Sequence, residues 1–270
     1  MIKVFYLGNF SFPYGNASGA RVLGNGLALR EIGYQVSYIG VDNSNVYQSL
    51  ENTLRTYKGF DYYNLPYPSG SIGWLSYRKR YREVKVLFEK SNPDVIILYG
   101  SPTISFFGKL VLNWAKKNKV ICLTDCVDWL SSGTGSYLYR TIKYLDNSYQ
   151  KKILNTQTDG IIAISSYLSN YYRNKKQTTV IIPPLIDPTK YKNLTFKQGL
   201  NRTIKLVYIG QPFATDGRKV KEKSFKDRID KVINILHLLE DYNFVFNVYG
   251  ITRNEYLRVI PKQKDKIEYL

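Results

Sequence analysis

Hydrophobic and polar residues alternate along this chain in blocks that have the length of single strands or helices. Val4–Leu7 is an apolar run with the composition of a strand that is buried on both faces. A loop of small residues, 13–19, follows it, and Gln35–Ile39 predicts a second strand. Between them, helical spacing predicts one apolar face made of Ala20, Leu23, Leu27 and Ala28. This order is typical of a right-handed βαβ unit.

The same alternation continues to the end of the chain. Further strands are predicted at Tyr62–Leu65, Val95–Tyr99, Val120–Leu123, Ile161–Ile164, Val180–Ile182, Ile204–Ile209, Phe244–Tyr249 and Ile267–Leu270. Helices are predicted at Trp74–Lys90, Phe106–Lys117, Tyr137–Asn155, Ser166–Tyr172 and Lys226–Leu239. The pattern predicts an α/β fold with doubly wound, mainly parallel sheets.

A polar, proline-containing stretch interrupts the alternation in the second half of the chain. We therefore expect an N-terminal Rossmann-like domain at 1–184, a linker at 185–202 and a second α/β unit at 203–270. The second unit has only about half the length of an ordinary open-sheet domain.

The formal net charge of +18 over 270 residues exceeds what solubility requires. Such a charge is compatible with nucleic acid, an anionic membrane face or a phosphorylated ligand. The sequence contains no recognised nucleic-acid module, and its aromatic residues fall mainly in predicted strands and helix faces. We therefore expect no nucleic-acid partner.

Two cysteines, Cys122 and Cys126, lie close together without the further ligands that a zinc site needs. They are interpreted as ordinary thiols of a reducing compartment. The sequence shows neither a signal peptide nor an apolar run of about 20 residues that could span a membrane. The expected location is the cytoplasm, with peripheral binding to the inner face of the plasma membrane as a further expectation.

The first loop carries Gly8, Gly15 and Gly19, which do not have the G-x-G-x-x-G spacing of dinucleotide-binding proteins. The longer loop suits a sugar-phosphate donor better than a nicotinamide dinucleotide, because small residues let the backbone approach an anion at a helix N-terminus. The alternative is a turn that only connects two elements. Asp42, near the end of the second strand, is either a ribose ligand or a solvated acid.

Two carboxylates, Asp125 and Asp128, come directly after the predicted strand Val120–Leu123. Ligands bind at the carboxyl ends of strands in open α/β sheets, so these acids could orient or deprotonate an acceptor hydroxyl. The alternative is a pair of solvent-facing loop acids.

A basic loop follows Gly210 and precedes a predicted helix. It contains Arg218, Lys219, Lys221, Lys223, Lys226 and Arg228. Cations at this position could neutralise a diphosphate leaving group, and Lys226 at the helix start is the favoured residue. The alternative is a solvated loop.

The predicted helix Trp74–Lys90 has an aromatic side and a basic side. Its candidate membrane or acceptor surface consists of Trp74, Arg78, Lys79, Arg80 and Arg82. Basic amphipathic helices bind anionic membrane surfaces. The alternative is a surface helix whose apolar side packs on the sheet.

Several segments in order resemble glycosyltransferase family 4, whose members have the GT-B fold. Besides the opening βαβ unit, the similar segments are Asp-Gly-Ile-Ile-Ala-Ile-Ser at 159–165, Val-Ile-Ile-Pro-Pro-Leu-Ile-Asp at 180–187, Val-Tyr-Ile-Gly at 207–210, Lys-Asp at 226–227 and Phe-Asn-Val-Tyr-Gly at 246–250. Together they cover essentially the whole chain.

This resemblance implies two Rossmann-like units and a retaining glycosyltransferase of cell-surface polysaccharide synthesis. A nucleotide-sugar would be the donor, and a saccharide or lipid-linked saccharide the acceptor. Donor contacts would come from Gly15, Gly19, Gly210, Lys226 and Gly250. Asp125 or Asp128 would position the acceptor hydroxyl. No cofactor and no metal are expected, because cationic side chains and helix N-termini serve at the phosphates.

The chain departs from the family pattern in three places. The loop between Gly210 and Lys226 is longer than usual, and Asp125 and Asp128 lie where many members have a histidine. The chain also stops at Leu270, before the segment with the paired-glutamate motif, so the donor unit is expected to be truncated. The alternative function is therefore a catalytically inactive remnant that acts as an interaction module through an unpaired sheet edge.

Overall fold

The computed structural model divides into two compact units, Met1–Asn193 and Leu194–Leu270, called unit 1 and unit 2. The structure describes residues 1–13, 16–42, 49–68, 73, 77–100, 105–128, 137–185, 203–213, 215, 220, 222, 225–239 and 244–269. The linker predicted at 185–202 falls almost entirely outside these residues, so the predicted domain boundaries stay a prediction.

Unit 1 contains one eight-stranded sheet. Its strands are β1 (Lys3–Gly8), β2 (Gln35–Asp42), β3 (Arg55–Tyr57), β4 (Phe60–Pro66), β5 (Val95–Tyr99), β6 (Ile121–Cys126), β7 (Gly160–Ala163) and β8 (Thr179–Ile181). They lie in the order β3-β4-β2-β1-β5-β6-β7-β8, and all pairs are parallel except β3 with β4. Val4 of β1 is in register with Val36 of β2 and Val95 of β5. Strand β2 lies on one side of β1, and β5, which comes later in the chain, lies on the other side. This switch in strand order predicts a ligand crevice at the carboxyl end of β1.

The helices of unit 1 follow the strands in the expected alternation. They are α1 (Ala17–Glu31), α2 (Tyr81–Ser91), α3 (Ser105–Lys117), α4 (Tyr137–Tyr149) and α5 (Ser166–Arg173). A 3₁₀ turn, Tyr77–Arg80, leads into α2, and a π-helical turn, Gln150–Leu154, followed by a 3₁₀ turn, Asn155–Gln157, extends α4. The predicted α/β fold with a mainly parallel sheet is confirmed.

The core of unit 1 lies on both faces of the sheet. Phe5 and Leu7 of β1 pack on one side with residues of α2 and α3, including Phe88 and Phe107. The alternate residues Val4 and Tyr6 face the other side and pack with Val22 of α1 among others. Because successive side chains of a strand point to opposite faces, an apolar run such as Val4–Leu7 serves both layers.

Unit 2 is smaller. Its strands β9 (Ile204–Ile209) and β10 (Phe244–Tyr249) pair in parallel, with Phe244 in register with Ile204. Its helices are α6 (Ile229–Leu236), α7 (Arg253–Val259) and α8 (Lys264–Tyr269). Phe213, Ile229, Ile233, Tyr256 and Ile260 form its buried core.

Two predictions at the helices of unit 2 are wrong. In the segment predicted as a strand at Ile267–Leu270, the residues up to Tyr269 belong to helix α8, in which Ile267 packs against the core, and Leu270 lies outside the described residues. The helix predicted from Lys226 begins at Ile229, because Asp227 and Arg228 have left-handed φ angles of 57° and 49°.

The buried face of α1 also differs from the prediction. Ala20 and Ala28 are exposed, while the buried residues are Gly19, Arg21, Val22, Asn25 and Gly26. Two features cause the difference. A side chain at Gly26 would place its Cβ only 1.7 Å from the Tyr38 hydroxyl, so the helix lies very close to the sheet. Arg21 and Asn25 are buried because their side chains hydrogen-bond to Asp125 and Tyr6 in the interior of the unit.

No helix in the described part of the chain combines the length and the apolar composition needed to cross a bilayer.

Candidate functional site

A buried ionic cluster occupies the carboxyl end of the sheet in unit 1. Asp125, near the end of β6, is 0% exposed. Arg21 of α1 donates from Nη2 to Asp125 Oδ1 at 2.8 Å and from Nε to both carboxylate oxygens at 3.1 and 3.2 Å. The Tyr6 hydroxyl donates to Asp125 Oδ2 at 2.8 Å and accepts from Asn25 Nδ2 at 2.8 Å. We call these four residues the Asp125 cluster.

The Asp125 cluster connects four parts of unit 1. Tyr6 belongs to β1, Arg21 and Asn25 to α1, and Asp125 to β6, while Arg21 Nη1 also donates to the carbonyl of Ile182 after β8 at 3.0 Å. Because a buried charge without its partner is costly, this geometry fixes the start of α1 over the carboxyl end of the sheet.

Burial dominates the electrostatics of the Asp125 cluster. It raises the pKa of the Asp125 carboxyl above its usual value of 3.8, and the hydrogen bonds from Arg21 and Tyr6 oppose that rise. Burial and the neighbouring carboxylate raise the pKa of Tyr6 well above its usual value, so the phenol stays protonated and donates. The Asp125 cluster is therefore suited to a structural role, which is to fix the start of α1 over the sheet.

The two acids that the sequence singled out lie in different environments. Asp125 belongs to the strand and is enclosed, so its carboxylate does not reach an acceptor in this geometry. Asp128 follows β6 and is exposed at the carboxyl end of the sheet. The sequence also allowed both acids to be solvent-facing loop residues, and that alternative fits Asp128 but not Asp125. Of the two acids, only Asp128 is accessible to a substrate.

The glycine-rich loop of unit 1 is close-packed. Asn16 caps α1, its Oδ1 accepting from the Gly19 backbone N–H at 2.8 Å. A Cβ on Gly19 would lie 2.3 Å from the Ser11 carbonyl oxygen, and a Cβ on Gly8 would lie 2.3 Å from that of Tyr99. Both glycines are thus required by backbone packing, and the donor role of Gly19 stays a prediction. Gly15 lies outside the described residues.

The cysteines are buried free thiols. Burial raises the pKa of Cys122 to about 12 and that of Cys126 to about 11. Since the thiolate is the reactive form, neither thiol is suited to nucleophilic chemistry at neutral pH.

Helix α2 packs its apolar side into unit 1. Val84, Leu87 and Phe88 are buried, while Arg82 and Lys85 are exposed. Arg78 and Lys79 of the preceding 3₁₀ turn are exposed, and Arg80 pairs with Glu83 at 2.8 Å. The geometry matches the alternative of a surface helix on the sheet. Any membrane role predicted for these residues could involve only their charges, and Trp74 lies outside the described residues.

In unit 2 the structure brings two predicted donor-binding glycines together. Gly210 and Gly250 directly follow the paired strands β9 and β10, and the Gly210 N–H donates to the Tyr249 carbonyl at 2.9 Å. Gly250 has a φ of +101°, and a Cβ there would lie 2.5 Å from the Gly210 carbonyl oxygen. The carboxyl edge of this sheet therefore consists of closely packed bare backbone, which a ligand can approach.

The loop that carries Lys226 is anchored beside this glycine edge. The Lys226 N–H donates to the Pro212 carbonyl at 2.7 Å, two residues after Gly210. The Tyr208 hydroxyl donates to Asp227 Oδ2 at 3.0 Å. In the described part of the chain no carboxylate pairs with the exposed Lys226, whereas Arg228 pairs with Asp230 at 2.7 Å and Glu222 at 3.1 Å. Lys226 is thus the described cation of this loop that is available to an anionic ligand; Arg218, Lys219, Lys221 and Lys223 lie outside the described residues.

Unit 2 also contains an apolar cavity of about 190 Å³. Its lining includes the apolar residues Ile233, Phe246, Val248 and Tyr256. Ile251, Thr252 and Arg253 also line it and directly follow Gly250, so the cavity adjoins the glycine edge.

Sequence reasoning did not find Arg21, Asn25 or Tyr6. The available signal was the spacing of Arg21 and Asn25, which lie one turn apart on the helix that begins at the glycine-rich loop. To recognise this pair as part of a cluster, one would have had to know that Asp125, 104 and 100 residues away, is the buried partner of both side chains.

No protein-family model matches the chain, and no curated protein matches its sequence. Solved structures do match: sucrose-phosphate synthase from Thermosynechococcus elongatus superposes with a TM-score of 0.61 at 13% identity, over 99% of this chain and 68% of that one. The catalytic domain of starch synthase IV from Arabidopsis thaliana, bound to ADP and acarbose, gives 0.53 at 12% identity, over 98% and 72%. UGT89C1 of Arabidopsis thaliana with UDP-L-rhamnose gives 0.52 at 12% identity, over 93% and 65%.

These similarities establish the fold. The chain has the α/β, GT-B-like fold of Rossmann-like units, and it spans about two thirds to three quarters of the length of the three structures. At this level of identity the similarity does not establish activity, because one fold supports many functions.

Proposed function

We propose that this chain is a nucleotide-sugar-dependent glycosyltransferase of the family 4 type, which retains the configuration of the transferred sugar. The donor would be a nucleotide-sugar, and the acceptor a saccharide or lipid-linked saccharide of cell-surface polysaccharide synthesis. The observation that carries the proposal is the edge of unit 2 formed by Gly210 and Gly250, with Lys226 anchored beside it, exposed and paired with no described carboxylate. The fold supports it, since starch synthase IV binds ADP and UGT89C1 binds UDP-L-rhamnose.

Each part of this edge has a role in donor binding. The bare backbone of Gly210 and Gly250 lets phosphate or sugar oxygens approach, which a Cβ would prevent. The Lys226 ammonium stabilises the nucleoside diphosphate as the bond to the sugar breaks, because negative charge develops on the leaving group. A fixed cation supplies this stabilisation without a metal at the phosphates, so we propose that the reaction needs none.

In unit 1, Asp128 is the acid that we assign to the acceptor hydroxyl, since it is exposed at the carboxyl end of β6. Asp125 receives a different role from the one expected: it is a positioning residue, which holds the start of α1 through Arg21. We also retain Gly15 and Gly19, from the glycine-containing segment at the start of this helix, as proposed contacts to the donor.

The decisive experiment is isothermal titration calorimetry with UDP, GDP, ADP and the corresponding nucleotide-sugars. Binding of one nucleoside diphosphate that persists in EDTA supports both the donor site and its independence from metal. Absence of binding for the whole panel contradicts the proposal. Release of the nucleoside diphosphate from the bound nucleotide-sugar, measured with and without EDTA, then tests turnover.

The alternative is a catalytically inactive interaction module. One observation favours it: in the described part of unit 2 the sheet has two strands, and Val207, Ile209, Val245 and Tyr249 expose apolar side chains from it. Exposed apolar sheet surface favours association with another chain. Under this alternative the calorimetric panel gives no binding, while light scattering shows self-association or a stable complex.

A further inference from the structure

Helix α4 turns large apolar side chains towards solvent. Tyr137, Tyr144 and Leu145 are 85%, 59% and 61% exposed. With about 3.6 residues per turn they lie on one face of the helix, together with Arg140 and Thr141. Single exposed apolar residues are ordinary, but several that share one face mark an interaction surface.

The inward side of the same helix contains Tyr149, which packs against the core of unit 1, together with polar groups. Asn147 is buried, and within the described part of the chain neither its Nδ2 nor its Oδ1 has a hydrogen-bond partner; Oε1 of the buried Gln150 in the following π-helical turn has none there either. Asp146 faces helix α3, where its Oδ1 accepts from the backbone N–H and the hydroxyl of Ser105. Helix α4 thus packs Tyr149 and polar groups inward and still exposes Tyr137, Tyr144 and Leu145, which is more apolar surface than a surface helix usually exposes.

The charges around the exposed side are positive. From Tyr137 to Leu154 the sequence contains Arg140, Lys143, Lys151 and Lys152, while Asp146 is its single acid and is bound to Ser105. Arg140 and Lys152 are exposed. The chain as a whole carries a net charge of +18.

We propose that the α4 outer face, made of Tyr137, Arg140, Tyr144, Leu145 and Lys152, binds the surface of an anionic lipid bilayer. Tyrosine suits the level of the headgroups, because its ring is apolar and its hydroxyl remains hydrated. Leu145 enters the boundary of the acyl chains, and Arg140 and Lys152 contact lipid phosphates. The positive charges of Arg140 and Lys152 complement the negative charge of an anionic bilayer, which is why we propose the bilayer as the partner.

This face differs from helix α2, whose basic residues suggested a membrane role in the sequence. Val84, Leu87 and Phe88 of α2 are already packed in the core and Val86 is its exposed aliphatic side chain, so α2 offers charge with little apolar insertion. The α4 outer face offers both, and the proposal does not depend on glycosyl transfer.

Vesicle sedimentation tests the proposal on the intact chain. We expect it to pellet at low salt with vesicles of phosphatidylglycerol and phosphatidylcholine and to remain in solution with phosphatidylcholine alone. The double variant Y144S/L145S should lower the partition coefficient about tenfold, because two apolar side chains no longer enter the interface. The variant R140Q/K152Q should lower it as well and reduce its dependence on salt.

The matched control is V86S/Y167S, which removes two apolar side chains of similar exposure, 52% and 64%, from helices α2 and α5. It should bind vesicles as the wild type does. Equal pelleting of Y144S/L145S and wild type overturns the proposal, and so does equal binding to neutral vesicles. The proposal also fails if the chain does not bind vesicles and light scattering shows a dimer that the Y144S/L145S variant dissociates. In that case the α4 outer face binds a second copy of the chain.

Discussion

The carboxyl edges of the two sheets hold their charges in opposite ways. In unit 1 the charges of Asp125 and Arg21 are enclosed and satisfied by each other. In unit 2 the strands end in Gly210 and Gly250, and Lys226 stays exposed beside them. The first arrangement stabilises a fold, whereas the second leaves a cation and bare backbone to a ligand. We therefore propose that ionic residues at strand ends serve structure in unit 1 and ligand binding in unit 2.

Among the variants that test this comparison, Asp125→Ala should change the free energy of unfolding most. Arg21 would then remain as a buried cation without its carboxylate, which lowers the free energy of unfolding by about 3–5 kcal/mol. Chemical denaturation followed by circular dichroism measures this loss. Asp128→Ala, at the exposed acid three residues further, should change stability by less than about 0.5 kcal/mol. Equal losses in the two variants would show that burial at Asp125 is not decisive.

Gly250→Ala tests the close backbone packing of unit 2. Its Cβ would meet the Gly210 carbonyl at 2.5 Å with φ at +101°, so we expect a loss of about 2–3 kcal/mol together with weaker nucleotide binding. Gly33→Ala is the control, because Gly33 has a φ of +88° and open space around its Cβ position. That variant should lose only about 1 kcal/mol. Similar losses at both positions would mean that the contact with Gly210 has no effect.

Lys226→Ala should leave the free energy of unfolding unchanged and weaken binding of the nucleoside diphosphate about tenfold, or about 1.4 kcal/mol. The reason is the loss of one charge-assisted contact to phosphate. Lys231→Ala, which removes another exposed lysine from helix α6, provides the control for net charge and should bind normally. Equal affinity of the Lys226 variant and wild type would remove Lys226 from the donor site.

The smallest effect concerns pH. The hydrogen bond and charge of Arg228 lower the pKa of Asp230 below its usual value of 3.8. The unfolded chain therefore takes up a proton at Asp230 at a higher pH than the folded chain does, so this contribution to stability is present above about pH 4 and is lost as the pH falls further. Asp230→Asn should make thermal unfolding of unit 2 less dependent on acid pH, as differential scanning calorimetry can measure. An unchanged acid dependence would show that Asp230 does not contribute.

Much of the fold could be predicted because short apolar runs between polar segments are typical of strands. Val95–Tyr99 and Phe244–Tyr249 were placed correctly from apolar runs alone. The C-terminal segment near Ile267 was not, because a run of four residues with three apolar side chains fits a strand or a helix equally well. Its packing against the core of unit 2 made it a helix.

The candidate site was predictable only in part. Gly210 and Gly250 directly follow predicted strands, and backbone contacts bring these two glycines together at one sheet edge, whereas the N–H of Lys226 bonds to Pro212. The partner of Asp125 was not predictable, because Arg21 lies 104 residues away. Helix α4 was predicted as a helix, but nothing in its residue pattern indicated that Asn147 would be buried and Tyr144 exposed.

By itself, the amino-acid sequence determined the alternation of strands and helices, the excess of positive charge and the glycines that end β9 and β10. These properties are local, since they depend on periodicity, composition and the conformations open to each residue. Only the tertiary structure decided which acid is enclosed, which lysine stays exposed and which side of α4 meets solvent. Those outcomes depend on what other segments place nearby, because the free energy of a charge or an apolar side chain is set by its surroundings.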